Sequence, residues 1–152
     1  MPASLNLDTP VGIVSLTEDQ GAITSVSWKP VSQPDETPLL LEARDQVKAY
    51  FAGQLTQFDL PLNPKGSAFH QSVFQAMSDI PYGATRTYGD IATALNTYGQ
   101  PVGQACGSNP IPIIIPCHRV LSSTGLGGYS GHGGTETKIA LLKLEGGYPF
   151  LL

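Results

Sequence analysis

The sequence predicts an α/β (α+β) protein in two parts: a small N-terminal mixed strand-and-helix domain over residues 1–65, then a mostly helical C-terminal domain with a helix-turn-helix over residues 66–152. Three observations carry this expectation. Apolar residues alternate with polar ones only in the N-terminal part, whereas from Ser67 onward they recur at helical spacings between glycine and proline breaks. Asn63-Pro-Lys-Gly66 interrupts both patterns and reads as a linker. Finally, 152 residues with 41% hydrophobic and 13% charged content suit a well-buried globular chain.

Val11 to Leu16 and Ala22 to Trp28 read as two strands, joined by the turn residues Glu18-Asp-Gln-Gly21. Pro30, Pro34 and Pro38 make residues 29–38 a loop. Thr37 caps a helix with Pro38 at its first position; Leu41, Val47, Ala49, Tyr50 and Phe51 form its apolar side and Gly53 ends it. Phe58 to Leu62 reads as an edge strand, because Pro61 cannot donate to a ladder. In the C-terminal part, Ser67 caps a helix striped by Phe69, Val73, Phe74 and Met77, and Ile80 to Gly83 turns. Thr87 caps Tyr88 to Leu95 with Asp90 as its capping-box acid. After a break at Asn96 to Gly99, a second helix runs to Gly107 with Pro101 at its first position. Two short helices joined by a glycine-containing turn are the helix-turn-helix outline. Gly103, Ala105 and Gly107 leave one side of the second helix nearly bare, suited to lie against a protein backbone or the floor of a DNA groove. A last helix, Thr135 to Glu145, buries Ile139, Leu141 and Leu142 and ends at Gly146.

Composition excludes several classes. Two cysteines, Cys106 and Cys117, are too few for a disulfide scaffold. His70, His118 and His132 are scattered and no cysteine precedes Cys106, so no metal site is expected. No apolar run reaches the roughly 18 residues of a membrane helix, and the N-terminus lacks a signal pattern; a cytoplasmic location is the expectation. The net charge is -4, but residues 66–152 hold four bases and four acids. Nucleic-acid binding would then rest on backbone amides, helix N-termini and a few cations, with a shallow salt dependence.

The chemistry concentrates in Pro116-Cys-His-Arg-Val120. A thiolate, not a thiol, attacks carbon, so a nucleophilic cysteine needs a base or positive charge beside it. His118 and Arg119 supply both to Cys117, while Cys106, in a Gly/Ala-rich helix with no base beside it, reads as an inert buried thiol. The histidine in turn needs a carboxylate to hold its tautomer. Asp79, Asp90, Glu136 and Glu145 are the acids after the linker; Glu145, in the last turn of a helix where an acid opposes the dipole, has some other reason to be there or else is a solvated helix end.

Pro116-Cys-His-Arg-Val120, with Gly107-Ser-Asn-Pro-Ile-Pro112 before it and Gly128-Tyr-Ser-Gly131 and Leu141-Leu-Lys-Leu-Glu-Gly146 after it, resembles the O6-alkylguanine-DNA alkyltransferases. The resemblance extends back through Thr87-Tyr-Gly-Asp-Ile-Ala92 to Phe69, and more loosely to Thr9-Pro-Val-Gly12, Tyr50-Phe-Ala-Gly53 and Phe58-Asp-Leu-Pro61. It implies direct-reversal repair of double-stranded DNA through the minor groove. Cys117 would take the alkyl group from the guanine oxygen irreversibly, in one turnover of a methylated-DNA–protein-cysteine methyltransferase. It implies His118 as the base, Glu145 as its orienting acid, Asn109 as the brace of the turn, and Tyr88 as the residue that flips the nucleotide and helps protonate the guanine. Tyr129 and Ser130 would form a lid over the base, and the carbonyls of Cys117 and Val120 would read its exocyclic amine. Gln100, Pro101, Gly103, Ala105 and Arg119 complete the DNA and substrate surface. A monomer with no cofactor and no obligate protein partner is implied; the zinc ligands some relatives carry in the first segment are absent.

The family's arginine at the start of the recognition helix is here Gln100, which is uncharged and shorter. Weaker DNA affinity is expected, and a Gln100→Arg exchange that raised neither affinity nor repair rate would refute it. Two other readings compete: a lesion sensor that binds the alkylated base with little transfer, and a Cys-His hydrolase that turns over.

Overall fold

The computed structural model describes residues 2–129 and 133–146, and the chain divides into two compact units, Met1–Lys65 and Gly66–Leu152. The class is the one expected, an antiparallel sheet and helices followed by a mostly helical unit. The first unit has three antiparallel strands in chain order: β1 (Ala3–Thr9), β2 (Gly12–Asp19) and β3 (Ala22–Ser27). β1 goes beyond the two strands expected, although Leu5 and Leu7 alternate with Ser4, Asn6 and Asp8 as regularly as any strand here. Leu5 faces Leu16 and Leu7 faces Val14, giving the sheet one apolar face. Val11 lies in the turn between β1 and β2 rather than in a strand. Gln20 and Gly21, with φ of 53° and 80°, form the two-residue hairpin turn into β3.

α1 (Pro38–Phe51) packs on β1 and β2. The backbone N–H of Leu40 donates to Thr37 Oγ1 at 3.1 Å, the expected cap. Its buried stripe is Leu40, Ala43, Val47 and Tyr50, at strict three- and four-residue spacing, so Leu41, Ala49 and Phe51 are only half-buried. The strand expected at 58–62 reduces to one parallel bridge between Leu62 and Ile23. Ile23 N–H donates to Pro61 O and Asn63 N–H to Ile23 O, both at 2.8 Å. Pro61 has an acceptor but no donor, and the ladder stops there.

In the second unit α2 (Ala68–Ser78), capped by Ser67, buries Val73, Phe74 and Met77. α3 (Tyr88–Ala94) starts with a complete capping box: Asp90 N–H donates to Thr87 Oγ1 at 3.0 Å and Thr87 N–H to Asp90 Oδ2 at 2.9 Å. The chain reverses through Asn96 at φ 57° and enters α4 (Gly99–Gly107). This helix starts at Gly99, two residues before the proline expected to open it, with Tyr98 at the N-cap, so Pro101 is third rather than first. The missing N–H is still harmless, because first-turn amides have no acceptor within the helix. α5 (Thr135–Glu145) ends at Gly146, φ 71°, as predicted. Its buried residues are Thr137, Lys138, Leu141, Leu142 and Glu145, while Ile139 is half-buried.

The remaining element is a two-residue parallel pair, β4 (Arg86–Thr87) with β5 (Val120–Leu121). Two residues show no period in a sequence, yet this pair positions the site. Tyr88 follows β4 directly, and Cys117 to Arg119 lead directly into β5. Among the described residues no helix is long and apolar enough to cross a membrane.

Candidate active site

The run 109–116 folds as a braced turn. Asn109 is buried and holds both ends: its Nδ2 donates to Ile115 O at 2.9 Å, and Ile111 N–H donates to its Oδ1 at 3.0 Å. Ile111, Ile113, Ile114 and Ile115 are all buried around it. Ile113 has φ 73°, a left-handed conformation that a β-branched side chain adopts only when its surroundings over-determine it. Pro116 is the centre of an inverse γ-turn, φ -82° and ψ 68°, closed by Cys117 N–H donating to Ile115 O at 2.8 Å. Cys117, His118 and Arg119 then make a single 3-10 turn.

This turn presents His118 and Arg119 to Glu145, the buried last residue of α5. Arg119 grips it through two donors, Nε to Oε1 at 2.8 Å and Nη2 to Oε2 at 3.1 Å, and His118 Nε2 lies 2.7 Å from Oε2. Arg119 Nη1 also donates to Ile80 O at 2.7 Å, and its guanidinium lies 5.8 Å from the Tyr82 ring centre. Because a carboxylate only accepts, the His118 proton sits on Nε2 and the lone pair on Nδ1, which has no hydrogen-bond partner among the described residues. Burial holds His118 below the ordinary histidine range, Glu145 opposing that and Arg119 reinforcing it. His118 is therefore neutral at pH 7 with a free basic nitrogen, and the Arg119–Glu145 pair supplies the charge balance.

Cys117 lines a pocket of about 290 Å³ together with Tyr88, Gly103, Cys106, Gly107, Gly128 and Tyr129. Burial pushes the Cys117 thiol up; the Asn109 side chain and the Lys138 ammonium pull it back. Cys106, whose thiol contacts Met77 sulfur at 3.5 Å, is pushed up to about 12, which fits an inert thiol even though it shares the pocket. Burial and the two nearby cysteines raise the Tyr88 phenol, and the Gly128 amide donates to its oxygen. Gly127, at φ 74°, holds a conformation that strains any other residue, and a Cβ there would press on the Tyr88 ring at 3.2 Å. Tyr129 places a buried hydroxyl with no partner among the described residues, and burial raises it too.

Several expected contacts lie elsewhere. Arg119 is buried and committed to Glu145, so it offers no charge to DNA. Ala105 is buried as well: two residues on a helix differ by about 200°, so it faces the core while Gly103 and Gly107, one turn apart, face the pocket. A Cβ on either glycine would meet nothing within 4 Å, so close packing within the protein is not why they are small. Val120 is fully buried and its carbonyl accepts from Lys138 Nζ at 2.7 Å, which occupies one of the two lone pairs expected to read a base. Gln100 is exposed and Pro101 half-buried, at the start of α4. Ser130 and His132 lie outside the described residues. The residue that sequence reasoning missed is Lys138, fully buried, whose Nζ also donates to Gly128 O at 2.8 Å. With Arg119 and Lys138 inside, the exposed cations of the second unit are Arg86 and Lys143.

Known proteins resemble this chain in sequence and in fold. The family described as 6-O-methylguanine DNA methyltransferase, DNA binding domain, matches residues 68–147, and its ribonuclease-like domain matches residues 6–64. The constitutive methylated-DNA–protein-cysteine methyltransferase of Bacillus subtilis is 43% identical over 155 residues, covering 91% of this chain and 92% of that protein. The crystal structure of the Mycobacterium tuberculosis O6-methylguanine methyltransferase superposes with a TM-score of 0.84 at 38% identity, covering 100% of this chain and 97% of the other. A crystal structure of Mycobacterium tuberculosis OGT in complex with DNA gives 0.81 at 42% identity, covering 95% and 92%. Matched along both units and sharing the fold, this chain belongs to the 6-O-methylguanine DNA methyltransferase family.

Proposed function

We propose that the protein repairs O6-alkylated guanine in double-stranded DNA by moving the alkyl group onto Cys117, once and irreversibly. The observation that carries this reading is the pocket in which Cys117 lies with Tyr88 and Tyr129, behind which His118 presents an unpaired Nδ1. A base inside a duplex cannot be approached at its exocyclic oxygen, so the nucleotide turns out of the stack into this pocket. Gly103 and Gly107 let α4 come close enough to the minor groove for that. His118 Nδ1 takes the Cys117 proton, directly or through one water, and Glu145 stabilises the imidazolium formed. The Cys117 sulfur attacks the alkyl carbon; the carbon–oxygen bond breaks and its electron pair passes into the purine, which is protonated with help from the Tyr88 phenol. The products are guanine and a thioether. A thioether is a poor leaving group, so the protein is consumed. Tyr129, with Ser130, closes over the base, and Asn109 keeps the sulfur in line.

The two units divide the work: residues 66–152 bind DNA and accept the alkyl group, and residues 1–65 support them. We place the protein in the cytoplasm, where its free thiols would stay reduced, and take it to act as a monomer.

Intact mass after incubation with a duplex carrying O6-methylguanine tests the central claim. One methyl group gained, mapped to the Cys117 peptide and absent in Cys117→Ser, is the expected result. An unchanged mass with retained binding identifies a lesion sensor, and repeated turnover without a mass gain identifies a hydrolase.

A further inference from the structure

We infer that Tyr98 is the residue that enters the DNA stack when the damaged nucleotide leaves it, a role that rests on the repair reading above. Tyr98 is 81% exposed, the most exposed large apolar side chain among the described residues; the other one, Ile13 at 46%, lies in the first unit. A tyrosine ring left in water has forgone the burial that normally accounts for the residue. Tyr98 occupies the N-cap of α4 with extended backbone, φ -114° and ψ 161°, and makes no side-chain cap bond, so it is not there to start the helix.

Its position is specific. Gly99, the next residue, abuts Tyr88: a Cβ built on Gly99 would stand 4.0 Å from the Tyr88 Cβ. Tyr98 is thus the chain neighbour of the residue whose backbone approaches Tyr88, the tyrosine that lines the pocket. Turning a nucleotide out leaves two base pairs facing an empty step, and a flat apolar side chain filling that step offsets lost stacking. Gln100, also exposed at this helix start, offers an amide that can hydrogen-bond the orphaned partner base but no ring to stack on its neighbours. The exposed cations of this unit are Arg86 and Lys143, so phosphate neutralisation contributes little and stacking carries more of the bound state.

Single-turnover transfer is measured for the wild type, Tyr98→Ala and Tyr98→Phe on a duplex carrying O6-methylguanine and on a short single strand carrying the same base. A 2-aminopurine beside the lesion reports unstacking. Tyr98→Ala is expected to slow the duplex reaction about ten-fold relative to the single strand and to lose the 2-aminopurine signal. Tyr98→Phe, which keeps the ring and drops the hydroxyl, should restore both. A Tyr98→Ala protein that keeps the wild-type ratio of duplex to single-strand rate overturns the inference, and so does a Tyr98→Phe protein as slow as Tyr98→Ala. Failure of the wild type to gain a methyl group on either substrate removes instead the repair reading.

Discussion

Replacing Glu145 with glutamine is expected to cost about 3–5 kcal/mol of folding stability, the usual penalty for breaking a buried ion pair from one side. The reason is a count of donors. Glu145 receives at least three, His118 Nε2–H, Arg119 Nε–H and Arg119 Nη2–H, through two oxygens. A glutamine has one oxygen and an NH2, so in either orientation at least one donor faces another donor, and the buried Arg119 cation loses its counter-charge. For a chain of this size the unfolding midpoint should fall by roughly 10 °C. Alkyl transfer should fall further than stability explains. Without the carboxylate His118 loses the partner that holds its proton on Nε2 and props up its basicity, and a positioned general base contributes about 10²–10⁴-fold. Adding Arg119→Met to the variant should recover stability but not transfer, since it removes the stranded cation and leaves His118 unsupported. A Glu145→Gln protein with unchanged melting and normal transfer would contradict the cluster as described.

Glu145 was half legible in the sequence: an acid in the last turn of a helix opposes the dipole, which singles it out, but the same position also reads as a solvated helix end, and only the family resemblance pairs it with His118. The caps at Thr37, Ser67 and Thr87 were legible too, because capping is a contact within four residues. What escaped depends on long separations or on residues that violate polarity. Arg119 beside Cys117 suggested charge held out to a ligand, and only the fold brings it to a glutamate 26 residues on. The β4–β5 pair joins segments 34 residues apart over two residues each, too short for periodicity to act. Ala105 was grouped with Gly103 and Gly107 for its size, although helical geometry alone puts it on the opposite side. Lys138 shows the limit best. It stands three, four and seven residues before Leu141, Leu142 and Glu145, on the buried stripe of α5, but sorting residues by polarity assigns a lysine to water.

That buried lysine should set both the rate and the alkaline behaviour of the protein. Lys138 Nζ ties β5, through Val120 O, to the segment that leads to Tyr129, through Gly128 O, and its positive charge is one of the influences that lower the Cys117 thiol. Lys138→Met keeps an unbranched side chain as far as the ε position and removes the ammonium, with its charge and both donors. Transfer at pH 7 should drop about a hundred-fold, the scale seen when one preorganised charge or donor is lost from a reacting anion. Stability carries a separate sign. Burial lowers Lys138 from 10.5 to about 8, so between those values the unfolded chain holds a proton that the folded chain has released. Unfolding then takes up a proton, and this group's contribution to stability rises with pH across that window. Below about 8 the cost of burying the charge is fully present, and above 10.5 it is gone. Losing the proton breaks no contact, because a neutral amine still has two N–H groups for its two carbonyls. The raised thiols Cys106 and Cys117 pull the other way in alkaline solution, since the folded chain keeps protons that the unfolded one loses. Lys138 lowers both thiols, so in Lys138→Met they lie higher still, which adds to the movement of the difference between the two proteins in favour of the wild type as pH rises. Urea unfolding at steps from pH 7 to 10 should show that difference moving in favour of the wild type as pH rises; a flat difference would mean that burial does not lower Lys138, which then holds its proton in the folded chain as long as in the unfolded one.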